Sequence, residues 1–242
     1  MRPVYYDFHI HTALSPCADN DMTPNDIVGM AILGGLDAIA ITDHNTIGNV
    51  AAVIKAAENA EKQHGRPLLV LPGIEVSTAE EVHVLCLFAD IEDAISFDAD
   101  LSSFYSIMPN REDIFGSQII FNENDEKIKV MERMLIAPTS ISFDSLHALT
   151  DEHNGAFIPA HIDRDSFSVI SNLGFLPPHL KIKTVEVTQK GIEKNNNTYT
   201  DNFSKHNIIT SSDAHQLWTI NDKENFIQLP EVSANLIIDF LR

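Results

Sequence analysis

The chain has 242 residues, 44% hydrophobic and 21% charged, enough for one sizeable core and not clearly enough for two. Its 16 Lys and Arg against 35 Asp and Glu give a net charge of −19. That argues against a broad nucleic-acid footprint, which needs cations against phosphates, but leaves room for a small or single-stranded phosphate substrate. No apolar run approaches the roughly 20 residues that span a bilayer. The start, MRPVYYDFHIHT, lacks the basic-then-apolar pattern of a secretory leader, and two cysteines, Cys17 and Cys86, are too few for a disulfide framework. The expected location is therefore the cytoplasm, with no membrane partner; nothing in the sequence sets the oligomeric state.

In chain order, Val4 to Ile10 reads as a strand. Thr23-Pro24 reads as an N-cap with proline at the first helical position, followed by Ile27, Val28, Ala31 and Ile32 at helical spacing and ended by Gly34-Gly35. Ala38 to Thr42 is a buried-strand run. Ile47 to His64 is Ala-rich and helical, stopped by Gly65 and Pro67. Leu68 to Leu71 and Val82 to Phe88 are further strands, as are Ala156 to Ala160, Thr184 to Val187 and Ile208 to Thr210. Val232 to Leu241 reads as a closing helix. Strand–helix alternation predicts a parallel α/β fold, and about seven strands suggest a barrel. Residues 98–141 break the pattern. Two strands around the turn NEND make this segment a β-hairpin insertion, a candidate lid or partner surface. EKNNNTYTDN reads as a loop.

Histidines gather at the strands. His9 and His11 close the first one, and residues two apart on a strand face the same side, so both rings can reach one ion. Taken alone, an H-x-H pair is equally one core and one surface histidine. The second strand ends in Asp43-His44, Glu75 lies just beyond the third, and His83 lies in the next. His161 ends AFIPA, followed by Asp163 and Arg164, while IIT leads into Asp213 and His215. The other five histidines, His64, His147, His153, His179 and His206, fall in helical or loop contexts and read as surface residues. In a parallel barrel the carboxyl ends of the strands open on one face, so these residues converge there. Imidazole with carboxylate is the donor set of zinc, manganese or iron, and His9, His11, His44, Glu75, His83, His161, Asp213 and His215 are enough for at least two ions.

DFHIHT, ITDHNT, PGIEVST, PAHIDR and SSDAH, in that order, resemble the motifs of the PHP (polymerase and histidinol phosphatase) family. The resemblance covers nearly the whole chain apart from the insertion. It implies a distorted (β/α)7 barrel with a β-hairpin insertion, one domain over 1–242, and two or three divalent ions that hydrolyse phosphate esters. On this resemblance, His9, His11, Glu75 and Asp213 hold one ion, and Glu75 bridges to a second held with His83 and His161. His44 and His215 serve a third. Many members carry S-D-G shortly after the H-x-H pair, whose Asp binds the third ion, but this chain reads SPCADND. Asp19 is the substitute candidate, with Cys17 and Asp21 as alternatives.

Glu75, Arg164 and Asp213 are the expected catalytic residues. A metal-activated water attacks phosphorus, and the Arg164 fork suits a phosphoryl group, although a surface salt bridge is the competing reading. Asp43 is expected to orient a ligand histidine, Cys86 to fill core, and Trp218 to pack the rim or stack on a base. The expected substrate is a nucleotide, a short nucleic acid or a small phosphorylated metabolite. The competing functions are an amide or deaminase-type hydrolase and a non-catalytic metal-binding module.

Overall fold

Alternation of apolar strands with Gly-stopped helices produces a curled sheet backed by helices. The structure, a computed structural model, describes residues 1–194, 203 and 205–242; the EKNNNTYTDN loop lies outside them from Asn195 to Asn202. The strands are β1 (Arg2–Ile10), β2 (Ala38–Ile41), β3 (Leu69–Ser77), β4 (His83–Leu87), β5 (Ile119–Phe121), β6 (Lys127–Val130), β7 (Ala156–Pro159), β8 (Thr184–Glu186), β9 (Asn207–Ile209) and β10 (Phe226–Leu229). The helices are α1 (Pro24–Gly34), α2 (Val50–His64), α3 (Ile91–Leu101), α4 (Glu112–Phe115), α5 (Phe143–Glu152), α6 (Val169–Leu173), α7 (Gln189–Lys194) and α8 (Ala234–Leu241).

Six strands form one sheet in the order β10-β1-β2-β3-β4-β7. β1, β2 and β3 run parallel, whereas β4 is antiparallel to both β3 and β7. This corrects the all-parallel expectation. Only five residues separate β3 from β4, too few for a crossover helix, so the chain turns back on itself. β8 and β9 form a separate parallel pair. Ile162 and Val187 donate backbone bonds to Glu186 and Ile209, and Ala214 bridges to Ile10, so this pair lies along the curl between β7 and β1.

Strand alternation sorts the core. Val4, Tyr6, Phe8, Ala38, Ala40, Leu71, Leu85, Leu87, Ala156 and Ile158 fill the inside of the curl, and Ile237, Ile238 and Leu241 of α8 pack against them. Ile39, Ile41 and Val70 face outward onto α1 and α2. Val84, Cys86 and Phe157 face α3 and α5. Cys86 is thus a buried core residue, as its mid-strand position predicts.

Several boundaries differ from expectation. β3 runs through Ser77, six residues past the expected Leu71, which puts Glu75 inside the strand. Up to Pro72 the strand pairs with β2, and from Gly73 it pairs with β4. Gly73 is required there: an added Cβ would lie 2.6 Å from Leu87 Cδ2 and 2.9 Å from Ile41 O. The α1 cap is also different, because the Thr23 hydroxyl donates to Asp26 instead of accepting a backbone N–H. α2 starts at Val50, since the Asn49 side chain is engaged elsewhere. The insertion leaves α3 at Leu101 and contains the expected hairpin, β5 paired antiparallel with β6. Two buried asparagines fasten its ends to the loops after β1 and β2. Asn49 Nδ2 donates to Thr12 and to Ile119 O while its Oδ1 accepts from Phe121 N. Asn45 Nδ2 donates to Leu135 O and Ala137 O. The insertion is a fastened wall of the site. β10 and the helices of 91–101 and 143–152 were not expected from the sequence.

Candidate metal centre

β1 delivers His9 and His11 to one rim, where its register against β2 slips between Asp7 and Ile10. Such bulges re-aim side chains at a sheet edge. His44 follows β2, and Glu75 comes from the extended β3. His83 arrives differently. It is the first residue of reversed β4, opposite Ser77 of β3, so its N-terminal end reaches the rim that the other strands reach with their C-terminal ends. His161 and Asp213 take φ of 30° and 52°, left-handed conformations that side-chain-bearing residues adopt rarely and that cluster at functional sites.

At the centre lies the Glu75 carboxylate, 1% exposed. Five imidazoles meet it: His83 Nδ1 and His44 Nδ1 at 2.9 Å, His161 Nε2 at 3.3 Å, and the Nε2 atoms of His9 and His11 at 3.4 Å. Asp213 Oδ1 lies 3.2 Å from both His9 and His11. His215 stands farther out, its Nε2 3.1 Å from Cys17 Sγ. All eight expected ligands therefore line one place. Asp19 joins by backbone alone, its N–H donating to His215 O, and its carboxylate belongs to none of the donor groups identified among the described residues. Of the remaining histidines, His64 and His179 are exposed, but His147, His153 and His206 are half-buried against aromatic or backbone partners, a correction to their reading as surface residues.

The supporting hydrogen bonds set the tautomers. Ser15 Oγ donates to Asp43, so it accepts from the Nδ1 of His11, leaving Nε2 turned inward. Asp43 thus orients His11 through Ser15. His9 Nδ1 bonds both oxygens of Glu186 at 3.0 and 3.1 Å, again leaving Nε2 inward. Glu186, which also accepts the His161 N–H, was missed in the sequence; a lone acid inside the apolar strand TVEV was its signal.

The residues fit divalent metal. His44 Nδ1 and Glu75 Oε2 are 2.9 Å apart yet out of hydrogen-bonding alignment, and both are buried without a hydrogen-bond partner, as is His161 Nδ1. Orphaned donor atoms at this depth are costly unless a cation takes them. Three groups have ligand atoms within 4.8 Å of one another: His9–His11–Asp213, His44–Glu75–His83 and His11–His44–His215. Burial opposes ionisation of Glu75, but His83, His44 and His9 outweigh it and hold its pKa well below the usual carboxylate range.

Beside the centre is a cavity of about 350 Å³ whose lining includes Arg164, Lys190, Gln189, Ser212 and Asn221. Arg164 reaches in and pairs with Asp213 Oδ2 at 2.7 Å. Trp218 is 67% exposed, so it does not pack the rim as one reading held.

The PHP domain family model matches residues 7–168. Over 91 residues the chain is 37% identical to the 5′-3′ exoribonuclease Rnm of Salmonella typhimurium and to that of Escherichia coli, a match covering 36% of this chain and 29% of each relative. Among solved structures, the lesion-specific endonuclease PfuEndoQ of Pyrococcus furiosus has a TM-score of 0.65 at 16% identity, covering 99% of this chain and 56% of that one. A putative metal-dependent phosphoesterase of Bifidobacterium adolescentis has a TM-score of 0.56 at 19% identity, covering 98% and 95%. The fold and the donor set define an α/β protein with a centre fit for divalent metal. The chain belongs to the PHP domain family.

Proposed function

We propose that this protein hydrolyses phosphodiester bonds in short, single-stranded nucleic acids, with residues 1–242 acting as one catalytic domain in the cytoplasm. The observation that carries the reading is the Glu75 carboxylate with five imidazoles around it. We read the curl of β1–β4 and β7–β9 as a distorted (β/α)7 barrel around that centre. His9, His11, Asp213 and Glu75 would hold one ion, and Glu75, His83 and His161 a second. His44 and His215 would serve a third. When bound, the ions supply Lewis-acid activation of water and neutralise phosphoryl charge.

The chain's own groups do the rest. Glu186 and Ser15 fix the His9 and His11 rings. Arg164, at the cavity mouth, exchanges its Asp213 partner for a phosphoryl oxygen and places the scissile group, with Lys190 adding a second cation in the same cavity. The names of the sequence relatives favour a nucleic-acid substrate, and the charge of −19 favours a short one.

The test is hydrolysis of single-stranded RNA and DNA oligonucleotides with manganese or zinc, with and without chelator. Glu75→Ala should abolish turnover while keeping a native circular dichroism spectrum, because the three largest apolar clusters are built without Glu75. A folded Glu75→Ala protein with wild-type turnover would overturn the reading.

A further inference from the structure

Phe167 stands at the edge of the centre in a backbone conformation that its own side chain disfavours. Its φ is 57°, in the left-handed region that Gly, Asn and Asp enter readily and a bulky aromatic residue does not. Among the described residues it is the one apolar side chain with positive φ, and His161 and Asp213 at the centre share that conformation. The loop is held at both ends. His83 N donates to Phe167 O at 2.9 Å. Ser168 Oγ donates to Arg164 O at 2.7 Å and accepts from Ser171 N, capping α6. Arg164 and Phe167 therefore move as one unit.

The ring lies over His83, centroids 4.8 Å apart and planes at 22°. His83 in turn meets Glu75 at 2.9 Å, so Phe167 is one ring removed from the central carboxylate. It belongs to none of the four apolar clusters and is 46% exposed. A single exposed apolar residue is ordinary. One strained, pinned beside a metal centre and left out of the core is not, because packing does not offset the strain and such strain gathers at functional sites. A ring that served only to shield His83 would itself be buried.

We propose that Phe167 is a stacking platform for the nucleobase next to the scissile phosphate. One face rests on His83 and the other receives the base, while Arg164, from the same loop, takes the phosphate. The proposal rests on the nucleic-acid reading above and adds a subsite to it. A π-face accepts any base, so the platform gives affinity without sequence preference.

The test uses single-stranded tetranucleotides, intact or with one base removed on either side of the bond that is cut. On the intact strand Phe167→Ala should raise KM by about 10-fold with kcat unchanged, as loss of one stacked base does. Phe167→Tyr should restore KM and Phe167→Leu should not. Phe167→Gly, suited to the positive φ, repeats the loss without the backbone strain and carries the test if the alanine variant misfolds. One of the two abasic strands should bind the wild type as weakly as the intact strand binds Phe167→Ala, and the substitution should weaken it no further. Equal loss on intact and abasic strands, full rescue by leucine, or a wild-type KM in the glycine variant overturns the proposal. So does a fall in bound metal, by elemental analysis, that accounts for the lost activity, since Phe167 would then only support His83. A wild type that cleaves no oligonucleotide sinks the nucleic-acid reading itself, and the proposal with it.

Discussion

The rings around Glu75 do not titrate alike in the metal-free protein. Burial disfavours charge on His11, but the Asp213 and Glu75 carboxylates, 3.2 and 3.4 Å from its Nε2, outweigh it and push the ring up to about 9. His44 is raised to about 9 against the same burial, by Glu75 and Cys17. Burial and the neighbouring His11 push His215 down to about 4. The sign follows. Raised histidines give the metal-free protein stability that is fully present below their ordinary 6.5 and lost as pH rises through about 9. Metal needs those same rings deprotonated, so zinc uptake at pH 7.5 should release protons and its apparent affinity should climb between pH 6.5 and 9. Calorimetric titration in two buffers of different ionisation heat measures the release. Equal heats in both would show that His11 and His44 are not ligands.

At the scale of elements, the hairpin insertion and the motif loops are one hydrogen-bonded unit. Asn49 begins the turn into α2, yet its side chain reaches both Thr12 beside His11 and the two backbone groups of β5. Asn49→Ala leaves buried partners unsatisfied and should cost about 1–3 kcal/mol. Hydrogen exchange should then quicken at Phe121, whose N–H loses its acceptor, far more than in the β2–β3 ladder. Unchanged protection at Phe121 would mean that the hairpin is held by its apolar contacts, Ile119 and Phe121 among them. The sequence showed the hairpin through its turn residues. It did not show the fastening, because an asparagine bonding a segment 70 residues away leaves no local pattern.

For the whole molecule, charge sets reach. A net charge of −19 works against extended phosphate contacts, whereas Arg164 and Lys190 place two cations in the cavity beside the centre. Affinity for single-stranded oligonucleotides, measured on the Glu75→Ala protein by fluorescence anisotropy at fixed salt, should level off after a few nucleotides. A steady gain up to about 30 nucleotides would reveal a long basic track, which the charge excess argues against. No helix among the described residues is long and apolar enough to cross a membrane.

Local pattern in the sequence carried the α/β alternation, seven of the strands, the α1 and α2 helices with their glycine stops, the hairpin, and the eight histidine and carboxylate positions, since spacing and turn chemistry act over a few residues. Tertiary structure decided what depends on distant partners. The reversal of β4 turned the start of a strand into a rim position for His83. The double pairing of β3 put Glu75 inside a strand, within 3.4 Å of five rings. The turn through Ser15 and Ala18 brought the Cys17 thiol, and only the backbone of Asp19, to His215. Glu186 became the partner of His9 across 177 residues of chain. In each case the side chain's identity was visible along the sequence, while its role was fixed by which distant backbone the sheet laid beside it.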